Sequence, residues 1–325
     1  MKAWLCETLE GIGAMRFQEL PTPEPKAGEV RIAIRAASLN FPDLLIVEGK
    51  YQFKPELPFV PGAEFAGTIE AVGEGVTALK VGQRVAASGS TGAFATHACV
   101  PTSRVLPLPD GFDLEDAAAF VFTYGTSHHA LIDRAQLKAG ETVLVLGAAG
   151  GVGTAALQIA KAAGARVIAA ASSDEKCARL AELGADATLN YSTANLRDAL
   201  KALTGGNGPD VVYDPVGGSL AEPAFRSIGW RGRYLVVGFA GGGIPALPFN
   251  LALLKGASIV GVFWGDFVRR EPQAHAAALA ELFRWYREGK VKPVIDSRLP
   301  MAELPAAYAR MGARQVQGKL LLINQ

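Results

Sequence analysis

Residues 141–161, ETVLVLGAAGGVGTAALQIAK, restrict this chain more than any other stretch. Residues 142–146 form a short apolar, β-rich run; it is too short for a helix and reads as a strand buried on both faces. Further on, Val152, Ala156, Ile159, Ala160 and Ala163 recur at helical spacing. Gly147, Gly150, Gly151 and Gly153 mark the strand-to-helix junction. Glycine there permits positive φ and lets a ligand come close to the backbone. A helix beginning at this turn aims unpaired N–H groups and its positive dipole end at an anion, which suits a pyrophosphate. Two registers fit: Gly147-x-x-Gly150-x-x-Gly153, or the dinucleotide fingerprint with Ala148 in place of its first glycine. A glycine triplet alone marks only a tight connection. A second strand at 164–171 supplies the rest of the βαβ unit that dinucleotide binding needs.

Composition bounds the remaining choices. A chain of 325 residues suggests two domains, and a hydrophobic half is enough for ample cores. Lys plus Arg at 32 against Asp plus Glu at 31 leaves +1, which provides no electrostatic footprint for nucleic acid or an anionic membrane. Two charge-free runs, 142–160 and 234–254, are long enough for a membrane span. Glycine clusters break both, and Pro245 and Pro248 break the second, so they read as buried strand–loop–helix segments. No cationic-then-apolar signal opens the sequence, and Cys6, Cys99 and Cys177 are isolated. A cytoplasmic protein is the expectation.

The first ~120 residues alternate short β-rich runs (30–36, 66–72, 84–87) with Gly/Pro turns, a small and mostly antiparallel β domain. Residues 113–135 turn helical. Strand and helix then alternate: strands at 166–171, 187–189, 210–213, 233–237 and 257–263, with helices at 174–183, around 194–203 and near 220–227. Such alternation means a parallel doubly wound sheet, an α/β architecture. Ligands in these sheets sit at the carboxyl ends of the strands, which points to Ser172, Tyr191, Asp214, Gly238, Phe239 and Trp264. An amphipathic helix follows at 271–288, and 319–323 is a last strand expected to return to the first domain.

Seven runs appear in order: 38–45 (SLNFPDLL), 49–51 (GKY), 57–67 (LPFVPGAEFAG), 149–153 (AGGVG), 183–186 (LGAD), 214–218 (DPVGG) and 318–321 (GKLL). Together they resemble the zinc-free quinone oxidoreductase (zeta-crystallin-like) branch of the medium-chain dehydrogenase/reductase superfamily. The resemblance spans essentially the whole chain. It implies a GroES-like β domain from residues 1–123 and 265–325, a Rossmann domain at 124–264, and a cleft holding NADPH.

In the alcohol dehydrogenase branch a Cys precedes the Asp of the first motif and Gly-His-Glu follows the proline of the second. Here those places hold Asn40 and Ala63, with only Glu64 kept. Catalytic zinc needs about three converging N, S or O ligands. His128 and His129 cannot supply two of them, because helix neighbours point ~100° apart. His97 and His275 stand alone. Without a Lewis acid alcohol oxidation loses its main electrophile, whereas hydride delivery to a quinone or conjugated enone does not need one. Asn40 and Tyr51 are the catalytic candidates. Asn40 stands where the zinc ligand was and could donate to a substrate carbonyl or a ribose, or form an Asx turn before Pro42. Tyr51 could protonate the reduced substrate or simply cover the site. Asp43 reads as a buried structural partner to a base such as Arg84. Arg269 and Arg270 read as a solvated pair.

The candidate cofactor contacts are Thr126, Gly147, Gly150, Gly151, Val152, Gly153, Ser172, Ser173, Lys176, Tyr191, Gly238, Phe239, Phe263 and Lys319. Thr126 is expected at a helix start, as contact or cap. NAD enzymes place a carboxylate at the end of the second strand to bind the ribose; here that strand ends in Ala and Ser. Ser172-x-x-Glu175 fits a capping box. Lys176 opposes the macrodipole of its helix unless an anion binds there. Lys176 and Tyr191 are therefore expected to read the 2′-phosphate of NADPH, and the resemblance implies the same contacts. The apolar run 257–263 is the expected homodimer edge. The functional expectation is zinc-independent hydride transfer from NADPH to a quinone or similar acceptor. The alternatives are a 2-alkenal or enoyl-thioester reductase, and a low-turnover NADPH-binding protein.

Overall fold

A computed structural model describes residues 1–324. They form two compact units, Met1–Phe122 with the chain from Ile295 on, and Thr123–Val294. Residues 265–294, expected with the β domain, lie in the second unit instead. The reason is aromatic packing within that unit: the His128 and Trp285 rings lie 5.8 Å apart, and His129 stacks on Phe267 at 4.1 Å.

In the first unit β1 (Lys2–Leu5) pairs antiparallel with β2 (Arg16–Glu19). The main sheet begins with β3 (Glu29–Ser38), β4 (Glu64–Val72), β5 (Arg84–Ser88), β6 (His97–Pro101) and β7 (Val105–Pro107). Val30, Ile32 and Ile34 are buried at the two-residue period of a strand with one face on a core. From Ala36 to Ser38 every residue is buried.

The second unit contributes β8 (Thr142–Val145), β9 (Arg166–Ala171), β10 (Ala187–Asn190), β11 (Val211–Asp214), β12 (Arg233–Val236) and β13 (Ser258–Gly261). All pair in parallel in the order β10-β9-β8-β11-β12-β13. This is the doubly wound order with its reversal between β8 and β11, where a crevice opens beyond the strand ends. Val143, Leu144, Val145, Val167 and Ile168 are fully buried, as strands covered on both faces must be.

The chain then returns to the first unit with β14 (Ile295–Pro300) and β15 (Lys319–Ile323). Its sheet runs β14-β15-β3-β4-β5-β7, with β6 also on β3. The pairings Leu321↔Ser38 and Ser38↔Glu64 carry the start of β15 and the start of β4 to the end of β3. That convergence builds the polar cluster described below.

Candidate active site

In the second unit the glycine turn is pinned at the switch point. Leu146 N–H bonds Tyr213 O at 3.0 Å and Ala148 N–H bonds Ala170 O at 3.0 Å. Gly147 has φ +58°, and a Cβ on it would lie 2.7 Å from Val216 Cγ2. A Cβ on Gly153 would lie 2.4 Å from Gly147 O and 2.6 Å from Ala148 Cα. One at Gly150 would make only an ordinary 3.5 Å contact with Gly147 O. Packing therefore demands Gly147 and Gly153, which selects the register beginning at Gly147. Helix Gly151–Ala162 starts without a side-chain cap, so its first amides, Gly151, Val152 and Gly153, are open donors. Ser127 Oγ holds Val152 O at 2.9 Å and meets Tyr213 Oη at 2.9 Å. Thr126 is buried inside helix Val121–His128, so the expected capping role does not apply.

The ends of β9 and β10 bring a second group together. Ser173, not Ser172, caps helix Asp174–Glu182, its Oγ accepting Lys176 N–H at 3.3 Å. The expected box starting at Ser172 is thus one residue early, because β9 ends at Ala171 and Ser172 is spent in the turn. Ser172 Oγ instead accepts from Lys176 Nζ at 3.3 Å, and its carbonyl accepts from Ser192 Oγ at 2.9 Å. Tyr191 N–H bonds Ala171 O at 3.0 Å, which sets the start of its loop beside β9. Asp174 is held by Asn190 Nδ2 at 2.8 Å. Ser192 carries no motif signal in the sequence beyond its place just past the end of β10.

Beyond β11, Asp214 Oδ1 accepts from Val216 and Gly217 N–H, both at 2.8 Å, and Oδ2 accepts from Tyr234 Oη. Burial, then the nearby Asp214 charge, pushes the Tyr234 phenol far up. Asp214 therefore shapes its loop. Gly238 N–H bonds Asp214 O at 3.3 Å, Phe239 is exposed next to Gly217, and Phe263 is exposed at the start of helix Trp264–Arg270.

In the first unit Ser38, Asn40, Asp43, Glu64 and Lys319 form one buried polar cluster, each 5 % exposed or less. Glu64 Oε2 accepts from Ser38 Oγ (2.7 Å), Asn40 Nδ2 (3.2 Å) and Lys319 Nζ (3.3 Å), while Oε1 accepts from Phe122 N–H (2.8 Å). Lys319 Nζ also donates to Asn40 Oδ1 at 2.6 Å. Asn40 makes no Asx turn with its side chain. Asp43 caps helix Phe41–Val47 instead, accepting Asn40 N–H at 2.8 Å. The base expected beside Asp43 was Arg84, but Arg84 donates to Phe112 O and the cation acting on Asp43 is Lys319. Burial pushes the Asp43 carboxyl up to about 7 against the pull of the Asn40 N–H and Lys319. Burial pushes the Lys319 ammonium down, opposed by Glu64 and Asp43. Half-buried Tyr51 packs against the core of this unit, and burial followed by the Asp43 charge raises its phenol. Lys319, expected at the cofactor, has its ammonium inside this cluster.

The other charged candidates are engaged locally. His128 faces Glu281 at 3.0 Å and His129 faces Asp133 at 2.8 Å, in the divergent directions helical neighbours must take. Arg269 and Arg270 are exposed and both hold Asp266. Among the described residues no group of three or more His, Cys, Asp or Glu side chains is placed to hold a metal ion. No helix among them is long and apolar enough to cross a membrane.

These features meet in known proteins. Residues 26–110 match the alcohol dehydrogenase GroES-like domain family and residues 151–282 the zinc-binding dehydrogenase family. Quinone oxidoreductase-like protein 2 of Bos taurus is 37 % identical over 99 % of this chain and 96 % of its own length. A Pseudomonas aeruginosa quinone oxidoreductase is 36 % identical, covering 96 % of each. The Escherichia coli quinone oxidoreductase, solved in complex with NADPH, superposes with a TM-score of 0.92 at 28 % identity over the full length of both chains. With the glycine turn, the GroES-like sheet and the Asn40 and Ala63 replacements, this similarity is of one family: the chain belongs to the quinone oxidoreductase branch of the medium-chain dehydrogenase/reductase superfamily.

Proposed function

We propose that this oxidoreductase transfers hydride from NADPH to a quinone or similarly electron-poor acceptor without a metal. The observation that carries the reading is the pairing of Lys176 with Ser172 at the end of β9, with the adjacent carboxylate of Asp174 turned onto Asn190. A ribose 2′-phosphate meets a cation and hydroxyls there, where an NAD enzyme would present a carboxylate. The E. coli relative solved with NADPH supports the same cofactor.

The residues fit that cofactor. Gly151, Val152 and Gly153 would supply amide donors for the pyrophosphate, and Gly150, where a Cβ would meet only Gly147 O at 3.5 Å, leaves room for its approach. Lys176, Ser172, Ser173 and Tyr191 would hold the 2′-phosphate, and Thr126, Gly238, Phe239 and Phe263 would contact the rest of the dinucleotide. Bound NADPH supplies the hydride, while the protein contributes orientation and hydrogen bonds. Asn40 Nδ2 donates to the acceptor carbonyl as negative charge develops on its oxygen. Tyr51 is placed to offer its phenolic proton to the reduced product.

Zinc does not fit. The positions of two family ligands are Asn40 and Ala63, and the Asn40 oxygen already faces the Lys319 ammonium at 2.6 Å. A dication there would meet a fixed positive charge, and Glu64 is saturated by four donors.

Tyr51 also supports a second reading, reduction of a 2-alkenal or enoyl thioester, which requires proton delivery to carbon. The test is NADPH oxidation by purified protein against o-quinones, p-quinones, enals and enoyl-CoA esters. Turnover with quinones at least tenfold above the others is expected. Preference for enals or enoyl esters would overturn the quinone assignment, and no turnover with any acceptor would favour a binding protein.

We also infer a homodimer through β13. This strand pairs with β12 on one side only, Ile259 and Phe263 are exposed, and Arg134 meets its edge only at Gly261 O. An open apolar edge is a template for pairing with a second copy. Val260→Lys is expected to give monomers by light scattering while the wild type is dimeric; a wild-type monomer at micromolar concentration would refute the interface.

A further inference from the structure

The Asn40 amide has two ends, and the cluster around it distinguishes them. Its Oδ1 faces the Lys319 ammonium at 2.6 Å, and one Nδ2 proton is directed at Glu64 Oε2, 3.2 Å away. Turning the amide over would set NH₂ against NH₃⁺ and a carbonyl against a carboxylate. Two charge-assisted bonds would become two repulsions, so one orientation is fixed. A primary amide carries two N–H donors. The second Nδ2 proton of Asn40 has no partner among the described residues, although the side chain is 5 % exposed. A buried unsatisfied donor is costly unless a ligand takes it.

We propose that Lys319, held by Glu64, is a positioning residue. It locks the Asn40 amide with its spare N–H available to the acceptor carbonyl, and its charge polarises that amide. The inference rests on the reading of Asn40 as the donor to the acceptor. Positive charge at Oδ1 draws electron density from the amide nitrogen and strengthens its N–H as a donor. The cation thus acts on the acceptor through one side chain, in a position where relatives with metal would use a Lewis acid. Lys319 itself touches no substrate.

A purely structural Lys319 would affect all acceptors alike. A polarising one matters most for acceptors that need activation: conjugated enones, more than p-benzoquinone. The experiment replaces the ion pair together, Lys319→Met with Glu64→Gln, so that no buried charge is left unpaired. The expected loss in kcat with an enone is ~10–150-fold, the equivalent of a charge-assisted hydrogen bond. With p-benzoquinone it should be less than about threefold, since little polarisation is needed. NADPH affinity, read by fluorescence titration, should stay unchanged. Lys319→Arg, which keeps the charge, should restore the enone-to-quinone ratio. If the paired variant does not fold, Lys319→Gln carries the test: it keeps a donor to Oδ1 without the charge, and the same enone-selective loss is expected. Equal losses for both acceptors, or no loss, would overturn the positioning role. Failure of the wild type to oxidise NADPH with any acceptor would overturn the underlying reading instead.

Discussion

Glu64→Gln should lower the unfolding free energy by about 3–5 kcal/mol, the range for breaking one side of a buried ion pair. Glu64 is 0 % exposed and accepts four hydrogen bonds, one of them from the buried Lys319 ammonium. Glutamine keeps the shape but must present NH₂ either to Phe122 N–H or to the other three donors. Either choice turns an attraction into a repulsion and removes the carboxylate hydrogen-bonded to the buried Lys319 ammonium. Denaturant midpoints, converted with the measured slope, give the loss. Adding Lys319→Met to Glu64→Gln should recover part of it, because the uncompensated charge is then gone. A loss below ~1 kcal/mol for the single variant, typical of an exposed pair, would show that the cluster is solvated.

Lys176→Ala should raise the KM for NADPH by roughly 10- to 150-fold and hardly change the use of NADH. A hydrogen bond to a charged group contributes ~1.5–3 kcal/mol, and ~1.4 kcal/mol is tenfold. The ammonium is already oriented by Ser172 Oγ at 3.3 Å, in the first turn of a helix whose dipole it opposes. A bound phosphate would relieve that opposition. Steady-state kinetics with both nucleotides checks this. Equal wild-type efficiency with NADH and NADPH, or an unaltered NADPH KM in the variant, would refute the assignment.

The strands and helices of the second unit were legible because they are local and periodic. β8, β9 and β11 are largely apolar runs, and the helix after β9 carries its own cap at Ser173. The first unit was less legible. β1, β2 and β14 mix charged and apolar residues, and β7 is only three residues long. The placement of residues 265–294 depends on ring contacts from Trp285 and Phe267 to two histidines, which no local pattern encodes. The partnership of Asn40 with Lys319 spans 279 residues. One signal was present: Glu64 and Lys319 each open a largely apolar strand, and buried charges need each other. The cap at Ser173 was missed by one residue, since two adjacent serines follow β9 and only the strand's end decides between them.

We propose that this chain's own side chains, with NADPH, suffice for hydride delivery. This is tested most directly by the quinone assay on protein dialysed exhaustively against chelator, with metal content measured on the same sample. NADPH oxidation should proceed at the untreated rate with zinc far below one per chain. Stoichiometric zinc before dialysis, with turnover lost on its removal and regained on its return, would contradict the account.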